Sequence, residues 1–390
     1  MREIIINNKP VKIWTNSVDE KAMRQIQNLA KLPYVYHHLA FMPDVHAGMG
    51  MPIGGVMACK DVVVPNAVGV DIGCGMCAVK TNWRVDDIPA HVIRKEIINQ
   101  VKRCIPLGNT NHKRSQGECY LPQGYDVEKM TIVRERILAL EKEVGTLGGG
   151  NHFIEFQKDE ENYLWVMLHS GSRNLGVRVC EFYNDVARQL NERMKCRIPL
   201  EVNMAFLPAG SMEFKSYWQE MNYCIDFAFC NRQLMMNRIK DVLCKCLKGI
   251  GFEPMINIAH NYASWESHYG QKVIVHRKGA TLAEKGVIGI IPGSQGTASY
   301  IVEGLGNPAS FNSCSHGAGR SMSRTQAIKT LSMAREVTML EAKGIIHSIR
   351  TQDDMQEASA AYKDIETVIS NESDLVRIKK RLLPVAIIKA

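Results

Sequence analysis

The stretch Cys314-Ser-His-Gly-Ala-Gly-Arg320 sets one histidine among small residues and beside an arginine. Gly317 and Gly319 lack a Cβ atom, so the backbone there can take a positive φ or approach a ligand closely. The guanidinium of Arg320 matches two phosphate oxygens in a planar fork. His316 could therefore attack a phosphorus atom or ligate a metal ion, although the string alone is more typical of a tight turn.

Five further polar residues share one kind of position, the point where an apolar strand gives way to a turn. They are Asp71, Cys74, His152, His169 and His260. Functional residues concentrate at loop positions on a rigid scaffold, and carboxylate, thiolate and imidazole are all metal ligands. A single histidine at a strand end is usually a surface or hydrogen-bonded residue, but five coincidences in one chain favour one metal site.

The hydrophobic periodicity predicts short strands mixed with amphipathic helices in an irregular order. Because strict βαβ alternation is missing, an α+β fold is favoured over a doubly wound sheet. The predicted helices are 89–103, 127–143, 212–246, 324–342 and 374–383, and a strand is predicted at 385–388. The basic residues of 374–383 are interpreted as a solvated helix face rather than an RNA groove. No Pro/Ser-rich linker separates the candidate ligands, which predicts one compact domain over 1–390.

The composition narrows the functional class. The 390 residues carry a net charge of +8, which favours a polyanionic partner. Twelve cysteines without a secretory signal are typical of a reduced, cytoplasmic protein, and no apolar run approaches the roughly 20 residues of a membrane span. The sequence has neither a Walker loop nor the Lys-x-Asp-Gly signature of lysine-dependent ligases. A ligase with this sequence would need another nucleophile, and His316 is available.

Seven motifs stand out along the chain: 71–75 (DIGCG), 148–155 (GGGNHFIE), 169–173 (HSGSR), 259–261 (AHN), 276–280 (HRKGA), 292–300 (PGSQGTASY) and 315–320 (SHGAGR). Together they resemble the RtcB family of RNA ligases, and the resemblance extends from Pro43 to Lys389. It implies an α+β fold with mixed sheets and peripheral helices. It also implies a ligase that joins RNA ending in a 3′-phosphate or 2′,3′-cyclic phosphate to RNA beginning with a 5′-hydroxyl.

The resemblance also implies GTP and two Mn²⁺ ions as cofactors. His316 would attack the α-phosphorus of GTP and pass GMP to the RNA 3′-phosphate, and a bridging Cys74 would let five ligands serve two ions. The implied metal ligands are Asp71, Cys74, His152, His169 and His260. The implied nucleotide contacts are Asn151, Glu155, Ser299, Gly317, Ala318, Gly319, Tyr362 and Lys389. Arg173 and Arg320 are expected to hold the terminal RNA phosphate.

Two other functional classes stay open: a metal-dependent phosphoesterase with the same two-ion centre, and an inactive RNA-binding paralog. Hydrolysis needs no guanylylation apparatus, and an inactive paralog would have a broken ligand set, so the ligase is favoured. We expect a cytoplasmic monomer without membrane association. Its expected substrates are tRNA or rRNA fragments, as for a bacterial repair paralog.

Overall fold

The computed structural model describes residues 1–196, 198–199 and 202–390. Its strands are β1 (Arg2–Ile6), β2 (Lys9–Ile13), β3 (Val35–His46), β4 (Ile53–Cys59), β5 (Val62–Val63), β6 (Gly75–Arg84), β7 (Phe153–Lys158), β8 (Tyr163–Ser170), β9 (Leu207–Pro208), β10 (Ile256–Ala259), β11 (Asn261–His268), β12 (Gln271–Lys278), β13 (Ala280–Leu282), β14 (Ile288–Ile291), β15 (Ser299–Gly304), β16 (Ser313–Ser315) and β17 (Val376–Ile388). Its α-helices are α1 (Glu20–Leu29), α2 (Pro65–Val68), α3 (Ile98–Cys104), α4 (Thr131–Glu143), α5 (Asn174–Arg193), α6 (Met212–Cys246), α7 (Arg324–Thr330), α8 (Met333–Ala342) and α9 (Ile365–Ser370).

Two large sheets form the centre of the molecule. One has the strand order β1-β2-β3-β4-β12-β11, and the other has the order β10-β6-β8-β7-β17-β15-β14. The pair β2–β3 is parallel, whereas the neighbouring pairs of the second sheet are antiparallel. Apolar side chains of β6, β7 and β8 share one core with α3 and α6. This mixture of sheets and helices in one body confirms the predicted α+β class.

The 35-residue helix α6 packs against the second sheet. Its observed bounds are those predicted from the sequence, and the Ser211 hydroxyl caps it by accepting from Phe214 N at 3.0 Å. Met235, Ile239 and Leu243, each four residues from the next, lie on one buried face. Contacts with β6, β8 and β10 place α6 behind the strand ends that lead to the candidate metal ligands.

The other predicted helices up to residue 342 occur with changed ends. A π-helical turn over Val92–Ile97 leads into α3, and a 3₁₀ turn over Val127–Lys129 precedes α4. The predicted helix 324–342 is divided into α7 and α8, because Ser332 takes an extended conformation and caps α8 with its hydroxyl. No helix in the described part of the chain is long and apolar enough to cross a membrane.

The predicted helix 374–383 is wrong, because most of this segment is the first part of β17. Pairing decides the conformation: β17 is antiparallel to β15 along its first half and to β7 along its second. Arg377 and Lys379, two residues apart on the strand, both pair with Glu303, at 2.7 and 3.2 Å. These two basic side chains therefore lie on a strand, where Glu303 offsets their charge, instead of on a solvated helix face. Pro384 is accommodated where the register with β7 is irregular.

Four strands of the second sheet bring their ends to one edge. β6 begins where β8 and β10 end, since Gly75 lies opposite both Ser170 and Ala259 in antiparallel pairs. β7 begins at the same edge, with Phe153 opposite His169. The segments just outside these strand ends therefore lie beside one another, although they are far apart in sequence.

Glu220 of α6 caps α4 from outside that helix. Its Oε2 accepts from the backbone N–H groups of Ile132 and Val133 at 2.9 Å, and the Tyr183 hydroxyl donates to Oε1 at 2.8 Å. We expect Glu220→Ala to lower the free energy of unfolding by about 1–3 kcal/mol, because buried donors lose their acceptor. Urea denaturation measures the change. The exposed control Asp241→Asn should stay within about 0.5 kcal/mol, and equal losses in both variants would contradict the capping role.

Candidate functional site

Two glycines let the segment 71–75 pass between α6 and β10. Gly73 has φ +77°, and a Cβ there would lie 2.8 Å from Ile225 Cα of α6. A Cβ at Gly75 would lie 1.9 Å from Ile258 O, so only glycine allows this approach of β10. The segment is thereby held against the sheet edge with its polar side chains beside those of the other strand ends.

The five metal ligands predicted from the sequence meet at this edge. Asp71 Oδ2 lies 3.2 Å from His152 Nε2, which lies 3.4 Å from Cys74 Sγ. Cys74 Sγ lies 3.2 Å from His169 Nε2, and His169 Nε2 lies 3.4 Å from His260 Nε2. All except Asp71 are buried. Cys74 stands in the middle of this row of ligand atoms, which is the place that a ligand shared by two ions would occupy.

Hydrogen bonds at Nδ1 of His152 and of His169 fix both rings so that Nε2 faces the row. His152 Nδ1 lies 3.0 Å from Leu147 O, and His169 Nδ1 lies 3.1 Å from Asn151 O. A carbonyl oxygen can only accept, so each Nδ1 carries a proton and each Nε2 of the neutral ring presents a lone pair. Burial, followed by the neighbouring histidines, holds the pKa of His169 and of His260 well below the ordinary value, so both rings are neutral.

This donor set fits a divalent cation. Cys74, His152 and His169 place their ligand atoms within 4.8 Å of one another. With Nδ1 of His152 bound to a carbonyl, its Nε2 lone pair faces the Asp71 carboxylate at 3.2 Å, so two acceptors meet unless a proton or a cation lies between them. Thiolate and imidazole together are typical ligands of transition-metal ions. The row can therefore hold metal ions.

His316 lies next to the row, with its ring centroid 4.9 Å from that of His260. Asp44 Oδ2 accepts from His316 twice, from the backbone N–H at 3.1 Å and from Nδ1 at 2.6 Å. Asp44 is fully buried in β3, so the pair fixes the ring and leaves Nε2 as the atom with the free lone pair. No sequence motif indicated a role for Asp44, although it is a lone acidic residue inside the apolar stretch 39–45.

Gly319, rather than Gly317, has the special backbone expected beside His316. Gly319 has φ +72°, and a Cβ there would lie 2.2 Å from Asp44 O. Gly317 has no positive φ, and a Cβ there would meet Pro292 O at 3.3 Å. The close approach at Gly319 is to the backbone of β3, and it brings Asp44 within reach of His316.

A cleft of about 760 Å³ opens over His316 and His169. The residues predicted from the sequence that line it are Asn151, Glu155, His169, His316, Gly317, Ala318, Gly319, Arg320, Tyr362 and Lys389. Burial raises the pKa of Glu155 to about 8, and its Oε1 has no hydrogen-bond partner among the described residues. A ligand in the cleft would reach His316, the metal-ligand row and Glu155 together.

Glu357 gathers basic side chains at one end of the cleft. Its carboxylate lies 3.3 Å from Arg320 Nη1, 3.1 Å from Arg324 Nε and 3.6 Å from Lys389 Nζ, and it accepts from the Tyr362 hydroxyl. Although burial opposes it, the positive charges hold the pKa of Glu357 below its ordinary value. No sequence pattern indicated a role for Glu357, because it ends the 3₁₀ turn Gln352–Glu357, whose mostly polar sequence is typical of a surface loop.

Arg173 and Ser299 do not line the cleft as it is formed by the described residues. Arg173 donates to Thr146 Oγ1 at 2.9 Å and to Gly108 O at 2.8 Å. It therefore connects the segment before the glycines 148–150 to the loop at Gly108. Ser299 is buried, and its Oγ accepts from Gln157 Nε2 at 3.0 Å. Their expected contacts with RNA phosphate and guanine stay predictions.

Gly171 follows β8 and touches the carboxylate of Asp71. A Cβ there would lie 2.3 Å from Asp71 Oδ1, so we expect Gly171→Ala to push Asp71 out of the row. The free energy of unfolding should fall by about 1–3 kcal/mol, and calorimetric titration should show weaker divalent-ion binding. Gly149→Ala is the matched control, because its Cβ would lie 3.7 Å from its nearest neighbour, Gly108 Cα. Unchanged binding by Gly171→Ala would show that Asp71 is not needed at this place.

Comparison with known proteins places the chain in a family. It matches the family model described as tRNA-splicing ligase RtcB over residues 25–390. It is 37% identical to the RNA-splicing ligase RtcB of Escherichia coli (strain K12), and the alignment covers 98% of both chains. It is 31% identical to the tRNA-splicing ligase RtcB of Nanoarchaeum equitans, with 98% of this chain and 95% of the relative covered. The chain therefore belongs to the RtcB family of RNA-splicing ligases.

Proposed function

We propose that this chain joins RNA 3′-phosphate or 2′,3′-cyclic phosphate ends to 5′-hydroxyl ends through GMP bound covalently to His316. The observation that carries the proposal is the setting of His316. Its Nδ1 is bound to the buried Asp44, and its ring lies in the cleft beside the metal-ligand row. Membership of the RtcB family supports RNA ligation as the activity.

Asp44 is a positioning residue in the proposed mechanism. When the Nδ1–H group of His316 donates a hydrogen bond to Asp44, the lone pair of the neutral ring lies on Nε2. The ring gains positive charge as Nε2 bonds to phosphorus, and the carboxylate 2.6 Å from Nδ1 offsets that charge. The buried acid therefore favours the covalent state over the free histidine.

Three displacements at phosphorus make up the proposed reaction. Nε2 of His316 attacks the α-phosphorus of GTP, and pyrophosphate leaves. An oxygen of the RNA 3′-phosphate then attacks the phosphorus on Nε2, the N–P bond breaks, and GMP is transferred to the RNA. The 5′-hydroxyl oxygen finally attacks the 3′-phosphorus, its proton goes to solvent, and GMP leaves. A cyclic end is first opened by water to the 3′-phosphate.

Manganese is the proposed metal, and two bound ions would neutralise phosphate charge and align an in-line displacement. In this chain Cys74 Sγ would be the shared ligand, with Asp71 and His152 on one side of the row and His169 and His260 on the other. Thiolate and imidazole are soft ligands that by affinity favour zinc over manganese. We therefore attribute a preference for manganese to its availability and its flexible coordination.

The part of the cleft near Glu155 is proposed to bind guanine. Glu155 Oε1 is buried and has no partner among the described residues, so in the ionised carboxylate it would accept from guanine N–H groups. Such donors favour the ionised form, whereas burial alone raises the pKa of Glu155 to about 8. The Tyr362 ring lines the cleft and could stack on the base. Ser299 would act through Gln157, which donates both to Ser299 Oγ and to Glu155 Oε2.

The RNA end is proposed to enter from the basic side of the cleft. Arg320 lines the cleft there, and Arg324, half exposed, lines it as well. Fragments of tRNA or rRNA in the cytoplasm are the proposed substrates. A monomer is the proposed active form.

Covalent guanylylation gives the first test of this function. The full-length protein is incubated with α-labelled GTP and Mn²⁺, denatured and separated by electrophoresis. We expect the wild-type chain and an exposed-histidine control, His91→Ala, to retain label, and His316→Ala to retain none. Mass spectrometry that placed GMP on another residue would overturn the assignment. A wild-type chain that released phosphate but retained no label would favour the phosphoesterase instead.

The fate of the 3′-phosphate gives the second test. Transfer of GMP to that phosphate makes GMP the leaving group, so the original phosphorus should remain in the new linkage. RNA labelled at its 3′-phosphate and mixed with a 5′-hydroxyl strand should yield joined RNA with the label inside, resistant to phosphatase. Loss of the label before joining, or sealing only of 3′-hydroxyl and 5′-phosphate ends, would contradict the mechanism.

A further inference from the structure

Two adjacent residues in the middle of α6, Asn231 and Arg232, connect the segments that carry the candidate metal ligands. Both are 0% exposed. We propose that they are positioning residues that set the geometry, and through it the affinity, of the divalent-metal centre. The inference rests on the proposed metal centre and does not depend on the ligation chemistry.

Asn231 joins the loop before His152 to the end of β8. Its Oδ1 accepts from Gly145 N at 2.7 Å and from Thr146 N at 3.1 Å. Its Nδ2 donates to Thr146 O at 3.1 Å, to Ser170 Oγ at 3.2 Å and to Gly171 O at 3.1 Å. Both amide atoms are therefore used, and no other residue of similar size offers this pattern of donors and acceptors.

The Ser170 hydroxyl carries this connection to the metal ligands. Ser170 Oγ donates to Leu147 O at 2.7 Å, and the same carbonyl accepts from His152 Nδ1. Ser170 also follows His169 directly in the chain. The orientation of one ligand ring and the backbone position of the next therefore both depend on contacts that Asn231 makes.

Arg232 connects the other two ligand-bearing segments. Nη1 donates to Gly73 O at 3.0 Å, one residue before Cys74, and to Ser170 O at 2.9 Å. Nε donates to Asn257 Oδ1 at 2.7 Å, in the strand β10 that leads to His260. The guanidinium thus holds three strand ends at fixed distances from one another.

Arg232 has no acidic partner among the described residues, which indicates that its role is to set this geometry. Its hydrogen bonds within the described residues go to two carbonyl groups and one amide, and its Nη2 has no partner there. A buried arginine without a paired carboxylate is costly, and an apolar side chain at such a place is often as stable or more so. Partners that orient metal ligands typically change metal affinity 10–100-fold, which is a sufficient reason to keep it.

The test measures metal binding by the metal-stripped full-length chain. Arg232→Met keeps the length and apolar packing of the side chain but removes every donor, and Asn231→Asp keeps the acceptor but turns an oxygen toward Thr146 O and Gly171 O. We expect both variants to bind Mn²⁺ about 10–100-fold more weakly in calorimetric titration. With Co²⁺ as the probe, the thiolate-to-metal absorption band should be weakened or shifted, and Arg232→Lys should recover part of the affinity.

Glu220→Ala is the matched control, since Glu220 is also a buried polar residue of α6 but caps α4 instead of the metal segments. It should lower stability while leaving Mn²⁺ affinity and the Co²⁺ spectrum as in the wild type. The inference is overturned if Arg232→Met or, should that variant not fold, Arg232→Lys binds Mn²⁺ with wild-type affinity and spectrum, or if Glu220→Ala weakens binding equally. Failure of the wild-type chain to join RNA ends, with the expected metal-binding losses in the variants, would instead overturn the proposed function alone.

Discussion

Antiparallel pairing of β10, β6, β8 and β7 is the constraint on which the rest of the molecule depends. It makes two strands start and two strands end at a single edge, so polar residues from distant parts of the chain become neighbours. Gly75 is essential to that arrangement, because any side chain there would enter the space of Ile258 O. The row of candidate metal ligands therefore depends on the topology of the sheet more than on any one motif.

The candidate site residues that could be predicted from the sequence are those that combine a metal-binding side chain with a recognisable local pattern. Cys74 and His152 follow glycine-rich turns beside apolar strands, and those features are visible in a linear pattern. Asp44 could not be found in the same way, because its role arises from a contact between β3 and the turn after β16. Glu357 was hidden for a similar reason, since the cations that it pairs with come from three separate segments.

The one wrong helix has the same kind of cause. The segment 374–383 has a dense set of basic residues that resembles a solvated helix, but its partners β15 and β7 lie elsewhere in the chain and satisfy its backbone as a strand. Glu303 then offsets two of the charges across the sheet. By contrast α6 was predicted with its observed ends, because a long helix with a serine cap carries its signals locally.

The wide separation of the candidate metal ligands along the chain has a consequence for the order of folding and metal binding. Asp71 and His260 come together only after β10 has joined the sheet, and closing so long a loop has an entropic cost that must be met by the protein core. In a zinc finger the ligands are close in sequence, so the ion can organise the chain, whereas the proposed centre would form only after residues 71–260 have folded together. Capture of a metal ion by the proposed centre would therefore follow the folding of this part of the chain and could not drive it.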